Sequence, residues 1–403
     1  MSILKSGLWT VLLGLFVNTA AQSFLYATLP SVGRSMGLLE TQTGIILGGG
    51  AILGMLTAPI WGFLSERFGR RPVLVLAIST VGISPLVLAF MLGGVAASLS
   101  ATMVLIVILL ARSVQAAFGS ALIPVSQAYV ADITPPERRT AGMGVLSATI
   151  GIGTVGGSAL VWLVGGFSSA AGFAFIGISA FLAFGLALAL LPEPRRHTMI
   201  ERDANVIPFA KIWPFFTVTA LAMTAYSIVQ PVIGLRLMDQ FNLPDTSAIG
   251  LAGAAVTCTA VAMVIAQAIV TPRLRWPPAL MVQVGGLGAA AGLVVIALAT
   301  DIVLILVAMT WLGLSLGLVL PGTLAAMSLS TGPGAQGKVA GANTVAFGIG
   351  LAAGPIAGTA IYGIGFTAPF WFAAMLALGV AGFALIATLP KPGEQALAKG
   401  PTS

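Results

Sequence analysis

The sequence predicts an all-α membrane protein, with twelve transmembrane helices in two pseudo-symmetric six-helix bundles. Three observations carry that expectation. Of 403 residues, 58% are hydrophobic and 7% are charged, and the mean hydropathy is +1.05. A soluble domain carries about 25% charged residues because its surface faces water. Second, the apolar residues fall into twelve runs long enough to cross a bilayer. Third, landmarks in the first six runs recur in order in the second six.

A transmembrane helix needs roughly 20 mainly apolar residues. Such runs lie near 8–30, 42–64, 73–94, 101–131, 141–163, 168–191, 211–233, 248–270, 278–299, 302–328, 340–363 and 368–389. The first has the basic start of a cleavable signal, at Lys5, and a small-residue patch at Thr19-Ala20-Ala21. Its apolar stretch continues to Leu29, beyond a signal core of about 7–15 residues, so it reads as a retained helix.

The cations orient the spans. With the N-terminus placed in the cytoplasm and the loops alternating, fifteen of the eighteen Lys and Arg residues fall on the cytoplasmic side. Only Arg34 and Arg236 fall outside, and Arg112 lies within a span. Such an asymmetry is the positive-inside pattern. It predicts a multi-pass protein of the cytoplasmic (inner) membrane with both termini cytoplasmic. The net charge of +7 does not indicate a nucleic-acid partner, since the cations sit in short loops between apolar runs and form no basic face interleaved with aromatics. The single cysteine, Cys258, rules out an internal disulfide and a cysteine-based metal site. No metal and no cofactor are expected.

The stretch from Pro192 to Lys211 is the longest polar cytoplasmic segment and contains the only histidine, His197. It divides the chain into a six-helix half at 1–191, a linker at 192–210 and a second half at 211–403. Pro30…Gly33 closes the first span as Pro231…Gly234 closes the seventh. Leu39-Glu40-Thr41 opens the second span as Pro244-Asp245-Thr246 opens the eighth. Arg139…Gly142 matches Lys338…Gly341 at the starts of spans five and eleven. A duplicated unit of this kind rocks around a site near the midplane.

Between spans two and three lies Gly62-Phe-Leu-Ser-Glu66-Arg67-Phe-Gly69-Arg70-Arg71. It resembles the signature loop of the major facilitator superfamily, with Glu66 in place of the usual aspartate. Glycines allow a tight turn and close helix approach. The resemblance implies a conformational motif in which the acid meets the N-terminal end of span eleven, an anion at a helix N-terminus, with Asp132 at the inner end of span four. In span four, Arg112-Ser-Val-Gln115 resembles the family's arginine motif, which implies a coupling role for Arg112 and Gln115. A cation at membrane depth costs about 2.5–3.5 kcal/mol on insertion scales and is functional by default. Gly151, Gly153, Gly156 and Gly157 in span five, and Gly350, Gly354, Pro355 and Gly358 in span eleven, resemble the glycine-proline motif of the family's antiporters. Small residues of this kind also serve plain close packing.

Helical spacing proposes a cavity face. Asn18, Gln22 and Tyr26 form one stripe of span one, and Thr219, Met223, Tyr226 and Gln230 one stripe of span seven. Gln127, Trp311 and Asn343 extend the candidate lining. No acidic residue lies at the centre of a predicted span, so a cavity with Arg112 as its charge favours neutral or anionic compounds. The resemblance implies a monomeric secondary active transporter in the lipid bilayer, of the drug:proton antiporter branch, exporting a small organic compound by alternating access. Proton-coupled symport of an anionic metabolite, siderophore-type export and lipid flipping on the same fold remain open. Converging catalytic groups are absent from the sequence pattern, so an enzyme is not expected. No phosphate-binding loop is present either, which argues against ATP as the driver.

Overall fold

The computed structural model describes residues 2–135, 138–165, 167–194, 209–331 and 336–386. Twelve membrane helices follow in order: α1 (Ser2–Ser35), α2 (Glu40–Phe68), α3 (Arg70–Leu92), α4 (Ala101–Ile133), α5 (Arg139–Gly165), α6 (Ser169–Leu190), α7 (Phe209–Phe241), α8 (Asp245–Leu274), α9 (Pro278–Leu298), α10 (Ile302–Leu329), α11 (Gln336–Tyr362) and α12 (Ala368–Ile386). Among the described residues, eleven helices are long and apolar enough to cross a membrane, and α12 is a shorter apolar helix. No strand occurs among the described residues. Most of the linker expected at 192–210, including His197, lies outside the described residues.

Two span ends differ from expectation. Pro30 and Pro231 do not close their spans: α1 continues to Ser35 and α7 to Phe241. A proline removes one backbone hydrogen bond, but near a membrane surface water can satisfy the freed carbonyl. Each extension carries charge: Arg34 on α1 and Asp239 on α7 are partly exposed, whereas Arg236 on α7 is fully buried and donates from Nε to Gln240 Oε1 at 2.8 Å.

α3 is interrupted at Gly82 and α4 at Ser120. In α3, Pro85 lacks the N–H that the Val81 carbonyl would otherwise accept. Residues 266–270 of α8 form a π-helical turn, against which α10 approaches so closely that a Cβ at Gly317 would lie 2.9 Å from the Met263 carbonyl.

The chain divides into two compact units. One comprises Met1–Arg202, Ser227–Ala260 and Leu351–Pro369, the other Asp203–Tyr226, Val261–Gly350 and Phe370–Ser403. In the first, Phe24 and Phe173 stack edge-to-face at 4.8 Å, joining α1 to α6. In the second, small residues let backbones meet: a Cβ at Gly285 would lie 2.7 Å from the Ser315 carbonyl, and one at Gly286 2.9 Å from the Ala381 nitrogen. Without a hydrophobic force between helices in lipid, such close packing supplies the attraction. Large apolar side chains such as Leu56, Leu110, Ile178 and Leu182 point outward and are exposed. That surface would aggregate in water and suits a lipid solvent.

Candidate functional site

At the cation-rich end, α2 gives way to α3 at one residue, Gly69, whose φ of +108° is a backbone state that L side chains avoid. The turn leaves the first N–H groups of α3 without helical partners. The Glu193 carboxylate fills that need, accepting from the Arg70 N–H at 2.7 Å and the Arg71 N–H at 2.8 Å. It also sets an anion on the positive end of the α3 dipole. A Cβ at Gly69 would lie 2.9 Å from the same carboxylate. Close approach explains Gly69 and not Gly62, whose missing side chain faces open space.

The arginines do more than mark topology. Arg70 Nε pairs with Asp132 Oδ2 at 3.1 Å, and its Nη1 donates to Ser65 Oγ at 2.6 Å. Arg71 Nη2 donates to the Leu188 carbonyl at 2.9 Å. Arg67 is exposed and lies over the Phe68 ring, 5.6 Å from its centroid. The loop therefore holds the cation-rich ends of α2, α3, α4 and α6 together. Glu66 is half-buried. In the sequence Glu193 stands only as part of the linker; an acid between two prolines just after span six carries no hint of partners over 120 positions earlier.

Arg112 is buried at 3% exposure and Gln115 at 2%. Arg112 Nη1 donates to Gln115 Oε1 at 3.1 Å, and Gln115 Nε2 donates to the Val81 carbonyl at 3.1 Å. That carbonyl is the one orphaned by Pro85, so Gln115 satisfies a break in α3 while its other end holds the arginine. The Tyr26 phenol lies against the guanidinium. Gly50 of α2 makes the slot, since a Cβ there would lie 2.8 Å from Arg112 Nε. Nε itself is buried without a hydrogen-bond partner, and among the described residues no carboxylate pairs with this guanidinium. The structure thus brings Tyr26, proposed from the sequence for the cavity, to Arg112.

The other candidates are spread out. Asn18 is buried beside Gly119, Gln22 is half-buried and Gln127 is exposed. Tyr226 and Gln230 are buried, and the Tyr226 hydroxyl has no partner. The Thr219 hydroxyl donates to Asn343 Oδ1 at 2.9 Å and lies 3.2 Å from the Thr323 hydroxyl, tying α7, α11 and α10. Trp311 is 53% exposed and does not join that cluster; its Nε1–H donates to the Gly288 carbonyl of α9 at 2.9 Å.

The glycine sets act as pairs of contacts. Gly153 and Gly157 of α5 seat on α1, at the Phe16 carbonyl and the Ala20 backbone. Gly350, Gly354 and Gly358 of α11 seat on α7 at Met223, Ser227 and Ile228. Gly156 meets the Phe16 ring, Gly151 is half-buried and Pro355 is inside α11. α11 thus meets α7 as α5 meets α1.

Twelve apolar helices, a glycine turn at the cation-rich end and the buried Arg112 within α4 define a polytopic solute carrier. The chain belongs to the Major Facilitator Superfamily, whose family model matches residues 11–216 and 215–402. It is therefore a transporter and a multi-pass membrane protein. The chain is similar to the class C tetracycline resistance protein of Escherichia coli, 29% identical over 80% of this chain and 81% of that protein. It is also similar to multidrug resistance protein 2 of Bacillus subtilis, 25% identical over 93% and 94%. Among solved structures, the D-xylose–proton symporter superposes with a TM-score of 0.76 at 16% identity, covering 96% of this chain and 98% of that one. That likeness concerns the fold.

Proposed function

We propose that this chain exports a small organic compound in exchange for protons, by alternating access across the inner membrane. Both termini and the 192–210 linker lie in the cytoplasm in this reading, and the halves at 1–191 and 211–403 rock against each other. The observation that carries it is the buried Arg112, held by Gln115 and faced by Tyr26, with no carboxylate paired to it among the described residues. Retaining a cation there is costly, and a charge that couples solute movement to a gradient justifies the cost. Relatives named as tetracycline and multidrug resistance proteins support export. A gradient supplies about 2.3 kcal/mol per charge per 100 mV and about 1.4 kcal/mol per pH unit. Transport of a compound panel in membrane vesicles, with and without a pH gradient, tests the proposal.

The unpartnered Nε of Arg112 favours one further reading, transport of an anionic compound whose carboxylate meets the guanidinium. Lysine keeps the charge and loses the planar fork that binds a carboxylate at two points. On this second reading Arg112→Lys weakens substrate binding and Arg112→Ala abolishes it. On the first, both bind substrate and lose gradient-driven accumulation.

A further inference from the structure

At the end opposite the signature loop, four helix ends converge on one ionic cluster. Arg34 of α1 donates from Nη1 to Asp239 Oδ1 of α7 at 2.6 Å and from Nη2 to Oδ2 at 3.2 Å. The same guanidinium donates from Nε and Nη2 to Glu40 Oε1 of α2, at 3.0 and 2.6 Å. On the far side, the Tyr362 hydroxyl of α11 donates to Asp239 Oδ2 at 2.6 Å. Close below, α2 seats on α11, where a Cβ at Gly44 would lie 2.7 Å from the Pro355 carbonyl and one at Gly48 2.5 Å from that of Ala352.

We propose that Arg34, Glu40, Asp239 and Tyr362 form a latch that closes the outer side of the transporter and parts at a single place, the Arg34–Asp239 fork. The assignment rests on the alternating-access reading, in which α1 and α2 move as one body and α7 and α11 as the other. Arg34 and Glu40 belong to the first body, Asp239 and Tyr362 to the second. When the outer ends separate, Arg34 keeps Glu40, and Asp239 keeps Tyr362. Neither charge is stranded, so the fork opens without leaving a bare ion. Arg236, one turn before Asp239, lies within electrostatic reach of Tyr362 and stays with the second body. The paired side chains are 29–36% exposed, and an ion pair this accessible to water is weak enough to break in each cycle.

The arrangement gives the two carboxylates opposite effects. Asp239 holds the outer side shut. Glu40 competes for the same guanidinium and receives it on opening, so it favours the open state. The test is a distance distribution between spin labels at Ala97→Cys and Thr246→Cys, both exposed near the outer ends, on a Cys258→Ser background. It reads conformation directly and needs no substrate, so its failure is distinct from a failure of the exporter reading. The latch predicts that Asp239→Asn and Arg34→Gln raise the open fraction about threefold, as loss of one partly exposed pair allows. Glu40→Gln lowers it by a similar factor. In the unaltered latch, raising the salt concentration shifts the distribution toward open, a measurement that does not depend on any variant folding. A Glu40→Gln shift in the same direction as Asp239→Asn overturns the proposal. So does an open fraction indifferent to Asp239→Asn and to salt.

Discussion

Gln115 has two duties, and both hang on one proline. Pro85 strands the Val81 carbonyl, Gln115 reaches across to it, and the same side chain fixes Arg112. Gln115→Leu is expected to lower thermal stability by about 1–3 kcal/mol, the cost of a buried group left unsatisfied, and to leave Arg112 unanchored. Gly50→Ala places a methyl against Arg112 Nε; it is expected to abolish gradient-driven accumulation while the protein still inserts, measured by vesicle uptake and by yield of monodisperse protein. Arg112 and Gln115 were legible as polar residues inside an apolar run, because lipid makes such residues conspicuous. Tyr26 was legible only as a member of a helical stripe. Its meeting with Arg112 depends on how α1 and α4 pack, which periodicity along one helix does not encode. Trp311 is a similar case: its N–H donates to the Gly288 carbonyl of α9, a pairing between helices that the pattern along α10 does not encode.

At the scale of elements, span lengths were readable because the bilayer sets a minimum apolar length. The C-terminal ends of α1 and α7 were not, since proline reads as a stop in the sequence while both helices continue past it to Ser35 and Phe241. The signature loop was recognisable from its glycines and arginines, but its fastening was not, because Glu193 and Asp132 come from helix ends far along the chain. Glu193→Gln removes the charge on the α3 N-terminus while keeping the oxygen acceptor, and is expected to slow transport several-fold with substrate binding within a few-fold. Arg70→Ala, which also loses Asp132 and Ser65, is expected to slow it more, and Glu66→Gln likewise to lower rate rather than affinity. Equilibrium binding and initial transport rates, measured side by side, check all three. A large loss of binding with normal interconversion of states would count against a conformational role for this loop. Gly69→Ala forces a side chain into a positive-φ turn already occupied by Glu193, so it is expected to reduce the yield of folded protein.

For the molecule as a whole, the distribution of charge predicts the topology. Fifteen cations on one side against two on the other predict that a cysteine replacing His197 on a Cys258→Ser background is unlabelled from outside intact cells by a membrane-impermeant reagent. Labelling there would invert the account. On the proposed reading, a proton gradient acting through Arg112 drives a compound outward. Inside-out vesicles carrying the protein test it directly, because their lumen stands for the cell exterior. With an acidic lumen, uptake of at least one compound from a broad panel is expected. That uptake collapses when the pH gradient is dissipated and is absent with Arg112→Ala protein that still binds the compound. Uptake that persists without a gradient, or that Arg112→Ala protein supports at the full rate, would contradict it.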